Sequence, residues 1–106
     1  MNELTVFNYG AAVVRTVMID GEPWFVAKDV CEILGVGWNG TTISHIPEQW
    51  KGMRSVRTPR GNQMMAVLSE QGVYFFLGRS DKPAALPFQM WIAGDVVPMI
   101  RKTGSY

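Results

Sequence analysis

Four basic side chains, Lys51, Arg54, Arg57 and Arg60, fall within ten residues, and no carboxylate follows them before Glu70. A guanidinium reaches two phosphate oxygens at once, or both acceptors on a guanine edge, so this cluster suits polyanion binding. The flanking segments GMRSVRT and QMMAVLS enclose Thr58-Pro59-Arg60-Gly61-Asn62. Pro59 pre-sets the second turn position, and Gly61 takes a position where a side chain would be strained. A hairpin is therefore predicted, with Arg60 at its tip. A two-stranded ribbon of this kind enters the major groove of DNA. In a regular strand Arg54 and Arg57 point to opposite faces, so all four cations join one stripe only across a bulge. The plainer alternative is a solvated hairpin whose edge is protected by charge.

Two further basic pairs stand later in the chain. Arg101 and Lys102 suit either the negative end of a last helical turn or a phosphate. Arg79 and Lys82 lie between helices, where they position a phosphate or pair with Glu70 or Asp81. Trp38 and Trp50 each sit in a glycine-containing polar stretch and are candidate partner contacts, against the simpler reading of burial under a loop. Catalytic chemistry has little to stand on. His45 is the only histidine, and its neighbour Ser44 makes no nucleophile–base pair, because adjacent helical side chains diverge. Asp29 and Glu32 read as an exposed, dipole-favoured helix face. There is no phosphate loop, dinucleotide fingerprint or Cys/His metal cluster. No enzyme activity, cofactor or metal is expected.

The whole chain, 106 residues with 47% apolar side chains and twelve aromatics, has the composition of one folded domain spanning residues 1–106, not of a disordered tail. No apolar run approaches the length of a membrane span, and the first ten residues lack the pattern of a secretory signal. A single cysteine, Cys31, forms no internal disulfide. A location in a reducing cytoplasm is expected. The net charge of +1 conceals an asymmetry. Residues 1–50 carry two basic against six acidic side chains (net −4), and residues 51–106 carry eight against three (net +5). Phosphate binding depends on where positive charge gathers, not on the total.

These residues need a scaffold. Residues 4–8 and 12–19 are β-branched and read as strands, and Asp20-Gly21 followed by EPWFVA predicts a tight hairpin. Pro23 places the second strand at an edge or at its start. From Ala27 to Leu34 apolar residues recur at helical spacing, and Gly35 closes the helix. VGWNGTT reads as loop, and TISHI as at most two helical turns. Ser69 caps a helix to about Leu77. Pro87 is expected to exclude a continuous helix, leaving one from about Pro87 to Val96, with a kink at Pro98. The fold class is α+β: two antiparallel hairpins packed with three or four short helices, principally 27–35, 69–78 and 87–96.

Three ordered blocks resemble the N-terminal domain of BRO proteins, found in phage antirepressors and insect-virus BRO proteins. IDGEPWFVAKDVCEILGV supplies Gly21, Trp24, Phe25, Ala27, Asp29, Val30, Leu34 and Gly35 at family positions. VLSEQGVYFFLGRSDKPAALPF supplies Ser69, Glu70, Gly72, Tyr74, Arg79, Ser80, Lys82, Pro83, Ala85 and Phe88. WIAGDVVPMIRKTGSY closes the match, from Trp91 through Arg101 and Lys102 to Gly104 and Tyr106. Asp81, Leu86 and Met90 depart from the family, which often carries basic residues there. The resemblance implies a DNA-binding regulatory module of a phage or prophage, working in the bacterial host cytoplasm, whether alone or as the N-terminal part of a longer antirepressor. Its DNA contacts would be the eight cations named above. The alternative is a protein-interaction module that captures a phage repressor or self-associates, which the muted basicity of the final helix favours.

Overall fold

Tight glycine turns set the register of the first three strands. A computed structural model of the chain describes residues 4–39 and 41–103; Gly104 and Tyr106 lie outside the described residues. Strand β1 (Leu4–Tyr9) returns through Gly10 and Ala11 into β2 (Ala12–Ile19). Strand β2 returns through Asp20-Gly21 into β3 (Glu22–Val26). Asp20 and Gly21 both take positive φ, 52° and 79°, the type I′ geometry that an Asp-Gly pair favours. Pro23 lies at the start of β3, ahead of the positions that pair on its far side.

The second hairpin joins β4 (Lys51–Thr58) to β5 (Gly61–Ser69) around Pro59 and Arg60. Gly61 has φ +100°. The Thr58 hydroxyl donates to the Gly61 carbonyl at 2.6 Å and accepts the Arg60 N–H at 3.2 Å. The sequence predicts two antiparallel hairpins; the structure has both and joins them into one antiparallel sheet of order β1-β2-β3-β5-β4. The reason lies in β3. Phe25 faces the helices while Val26 faces the opposite cluster, and both are fully buried. A strand buried on both faces must also pair along both edges.

Strand β3 meets β5 at three positions only: Trp24–Ser69, Phe25–Leu68 and Val26–Val67. At Ala27 the chain turns into α1 (Ala27–Leu34). Residues 61–66 of β5 therefore pair with 53–58 of β4 alone. This makes a two-stranded arm about 20 Å long, at roughly 3.4 Å per residue. Where β3 becomes α1, β2 also loses its neighbour, and Asp29 takes its place. The Asp29 carboxylate accepts from the Arg15 backbone N–H (2.9 Å), Nε (2.9 Å) and Nη2 (2.7 Å). Asp29 is thus not the exposed helix-face residue its sequence position suggests; it is 3% exposed. Breaking a buried pair of this kind costs about 3–5 kcal/mol, because one charge is left without its partner.

Helix α1 ends at Gly35 in the left-handed region (φ 76°), with the Val36 N–H donating to the Cys31 carbonyl at 2.9 Å. Residues 41–46 form successive turns that bury Ile43 and Ile46. Helix α2 (Glu70–Gly78) is capped by the Ser69 hydroxyl, which accepts the Gly72 N–H at 3.1 Å. Helix α3 (Ala85–Trp91) starts two residues earlier than expected. Pro87 sits in its first turn, where a helix has no use for the missing N–H. A π-helical turn, Ile92–Val96, then leads into α4 (Val97–Thr103). Pro98 does not break the helix. The wider turn lies just before it, where a proline denies regular bonding. Phe25, Leu68, Val73, Phe88 and Ile92 form the centre of the core.

Gly72 gives a direct test of this packing. A Cβ there would lie 2.7 Å from the Trp50 carbonyl oxygen, whereas one at Gly78 would meet nothing within 4 Å. Gly72→Ala is expected to lower the urea-unfolding free energy by about 1–3 kcal/mol, the cost of overpacking. Gly78→Ala is expected to leave it unchanged or raise it by up to about 1 kcal/mol, through helix propensity. Equal effects of the two changes would contradict the placement of α2 against Trp50.

Candidate nucleic-acid interface

The arm's pairing runs unbroken from Lys51–Leu68 to Thr58–Gly61. No bulge intervenes, so side chains alternate strictly between its faces. Lys51, Met53, Ser55 and Arg57 share the face of Leu68, Ala66, Met64 and Asn62, which is the side of the main core. Arg54 belongs to the other face with Val56, part of a smaller cluster formed with Val17, Val26 and Val67. Its guanidinium is turned onto its own strand, donating to the Met53 carbonyl at 2.8 Å. The four hairpin cations thus divide, and Arg54 stands apart.

The remaining three differ in how engaged they are. Lys51 Nζ lies 3.0 Å from the Glu48 carboxylate. Arg57 and Arg60 are exposed, and among the described residues neither has a carboxylate within 4 Å. Asn62 stands directly opposite Arg57 and is also exposed. Arg and Asn are the side chains that recognise guanine and adenine edges by paired hydrogen bonds. The outer arm therefore offers phosphate-binding and base-reading groups together. In the sequence Asn62 reads only as part of a turn, and its pairing with Arg57 becomes visible once the register is known.

At the arm's root the cationic surface widens. A groove of about 460 Å³ runs between the arm and the loop after α1, and both Lys28 and Lys51 line it. Lys28 escapes a reading by charge blocks, because it lies in the acidic half of the sequence. Across the loop, Arg79 and Lys82 border a second depression of about 320 Å³ with His45, Phe76 and Asp81. The His45 ring stacks on Phe75 and Phe76, each at 5.9 Å between centroids, and the Arg79 guanidinium lies 5.9 Å from the Phe75 centroid. Burial lowers the His45 pKa, and the charges of Arg79 and Lys51 push it the same way. One imidazole therefore feels cations from both regions. The arm root and the 79–82 segment are neighbours around it.

Arg101 and Lys102 do not border either depression. Arg101 lies 3.8 Å from Glu70 at the start of α2, and Lys102 is exposed in the last turn of α4. Trp38 lines the groove. Trp50 packs on Phe75, 5.8 Å between ring centres, and its backbone meets α2 at Gly72. Asp81 stands beside Lys82, while Leu86 and Met90 are 64% and 65% exposed on α3. Cys31 is buried in α1, and burial pushes its thiol up to about 11, with Glu32 adding to the effect. Such a thiol is unreactive at neutral pH. Among the described residues no three His, Cys, Asp or Glu side chains gather to hold a metal ion, and no helix is long and apolar enough to cross a membrane.

A small α+β domain with a paired, cation-tipped arm is thus the class that fold and surface define. Residues 13–98 match the model of the BRO family, N-terminal domain, and the chain belongs to that family. It is also similar to an uncharacterized protein of Haemophilus influenzae, 34% identical over 106 residues. That alignment covers 98% of this chain and 53% of the relative, so the chain spans about half the relative's length. No solved structure matches the chain.

The convergence of Lys51 and Arg79 on His45 is open to titration by NMR. Burial disfavours protonation and the nearby cations add to it, so the imidazole is expected to titrate below the ordinary histidine value of about 6.5. Arg79→Ala, and separately added salt, should raise its pKa. A pKa at or above the ordinary value, unmoved by either change, would place those cations away from it.

Proposed function

We propose that this domain is a non-catalytic DNA-binding module of antirepressor type, docking on duplex DNA through its β4–β5 arm. The observation that carries the reading is the outer arm itself. Two strands continue beyond the sheet with Arg57 and Arg60 exposed and free of carboxylates among the described residues. A two-stranded ribbon fits the major groove, which is wide enough for it. Lys28 and Lys51 at the root, with Arg79 and Lys82 beyond His45, extend the contact to flanking phosphates. Membership of the BRO family supports the same reading, and regulation of phage or prophage transcription is the role it implies. Arg54, Arg101 and Lys102 contribute less in this arrangement, because the first two are turned to protein partners and the third stands apart.

A second reading rests on α3. Leu86 and Met90 stand one helical turn apart, both largely exposed. An apolar surface there suits a protein partner, such as a repressor or a second copy of the chain.

Salt dependence separates the two. Each neutralised phosphate contributes about 0.9 to the slope of log K against log salt on duplex DNA. In fluorescence-anisotropy titrations between 50 and 200 mM salt, Arg57→Ala/Arg60→Ala is expected to weaken binding and reduce that slope by about 1–2. Arg54→Ala should leave the slope unchanged. Salt-insensitive binding, or a double variant identical to the wild type, would overturn the arm as the DNA contact and leave the protein-partner reading.

A further inference from the structure

The arm carries a feature that phosphate binding does not call for. Met53 and Met64, on the same face as Lys51 and Arg57, are 51% and 63% exposed. They form one wall of the groove of about 460 Å³, with Trp38 on the other side. Lys28 and Lys51 reach the groove from separate elements, α1 and β4, and Ser44 adds a hydroxyl. None of the residues lining it is acidic. A cleft with a methionine wall, an aromatic ring and two ammonium groups matches a ligand that carries anionic groups beside apolar ones.

We propose that this groove takes an acidic–apolar peptide segment of a partner protein, and that its occupation excludes DNA from the arm. Methionine thioethers are flexible and polarisable, and they accommodate varied aliphatic and aromatic side chains. Carboxylates on the segment meet Lys28, which has no carboxylate within 4 Å among the described residues, and compete with Glu48 for Lys51. Single-stranded nucleic acid fits less well, since its binding sites stack successive bases on several aromatic rings. Here one ring, Trp38, lines the cleft. The exclusion follows from position: Lys51, Met53 and Met64 share a strand face with Arg57 and Asn62, so a bound segment occupies the root of the surface that meets DNA. This second half of the proposal rests on the DNA-binding reading; the peptide site does not.

A random 12-residue peptide library displayed on phage, panned on the wild-type domain, tests the site directly. Enriched sequences are expected to place Asp or Glu beside Leu, Phe or Met. A synthetic copy of the leading sequence should bind Lys28→Glu/Lys51→Glu at least tenfold more weakly. Lys28→Glu alone, an exposed change on α1, should also weaken it, which keeps the test decisive if the double variant unfolds. No enrichment over the charge-reversed protein, or enrichment of basic or uncharged peptides, would overturn the site. Tighter binding of an oligo(dT) single strand than of any peptide, lost in Trp38→Ala, would overturn it in favour of nucleic acid. The peptide should then displace labelled duplex from the domain. Simultaneous binding of both would refute the exclusion. Absence of any duplex binding would refute the DNA-binding reading and leave the peptide site standing.

Discussion

The contact between Arg15 and Asp29 governs how the rest of the molecule is laid out. Strand β3 is short, because the chain must leave the sheet at Ala27 to place α1 over the core. That departure strips a neighbour from β2 at the level of Arg15. Asp29 fills the gap from the first turn of the helix, accepting the free backbone N–H and holding the guanidinium with both oxygens. A strand amide left open and a helix start in need of negative charge are satisfied by one carboxylate. The guanidinium in turn remains paired although it is largely covered.

The early end of β3 has a second consequence on the opposite edge. Strand β5 runs on past its last β3 partner, Val67, and keeps only β4 beside it. The arm is thus the residue of a mismatch in strand lengths. Its unbroken register then sorts the side chains. Lys51 and Arg57 are delivered to one face along with Asn62 and the two exposed methionines, while Arg54 is delivered to the other. Charge density along the sequence treats the four hairpin cations as equals. The period of two does not. The same logic brings Lys28 from an acidic stretch into the cationic groove, since α1 begins where β3 stops and its second residue meets the arm's root.

Local chemistry was legible in the sequence wherever it depended on neighbours in the chain. The Asp20-Gly21 turn, the Pro59–Gly61 turn, the Ser69 cap and the bounds of α1 all follow from residues within a few positions of one another. What escaped depended on distant partners. Asp29 looks like an exposed helix-start residue until Arg15, fourteen positions earlier, is seen to reach it. The pairing of β3 with β5 spans more than forty residues and leaves no local mark. The expected helix start at Pro87 falls two residues late, because a proline is accepted anywhere in a first turn, and at Pro98 a π turn precedes the proline and the helix runs on. At the candidate interface, Arg57 and Arg60 were visible as cations, and so was the divergence of Arg54. Their isolation from carboxylates, and the company of Asn62, Lys28 and His45, required the fold.

Whether the arm is the surface that meets DNA can be tested by NMR perturbation mapping without altering a residue. Backbone amide and arginine Nε signals of the labelled domain would be followed as a duplex is added at low salt. The largest changes are expected at residues 55–64, with smaller ones at Lys28, Lys51, Arg79 and Lys82. Changes concentrated on α3 and α4, with the arm's signals unmoved, would contradict that role.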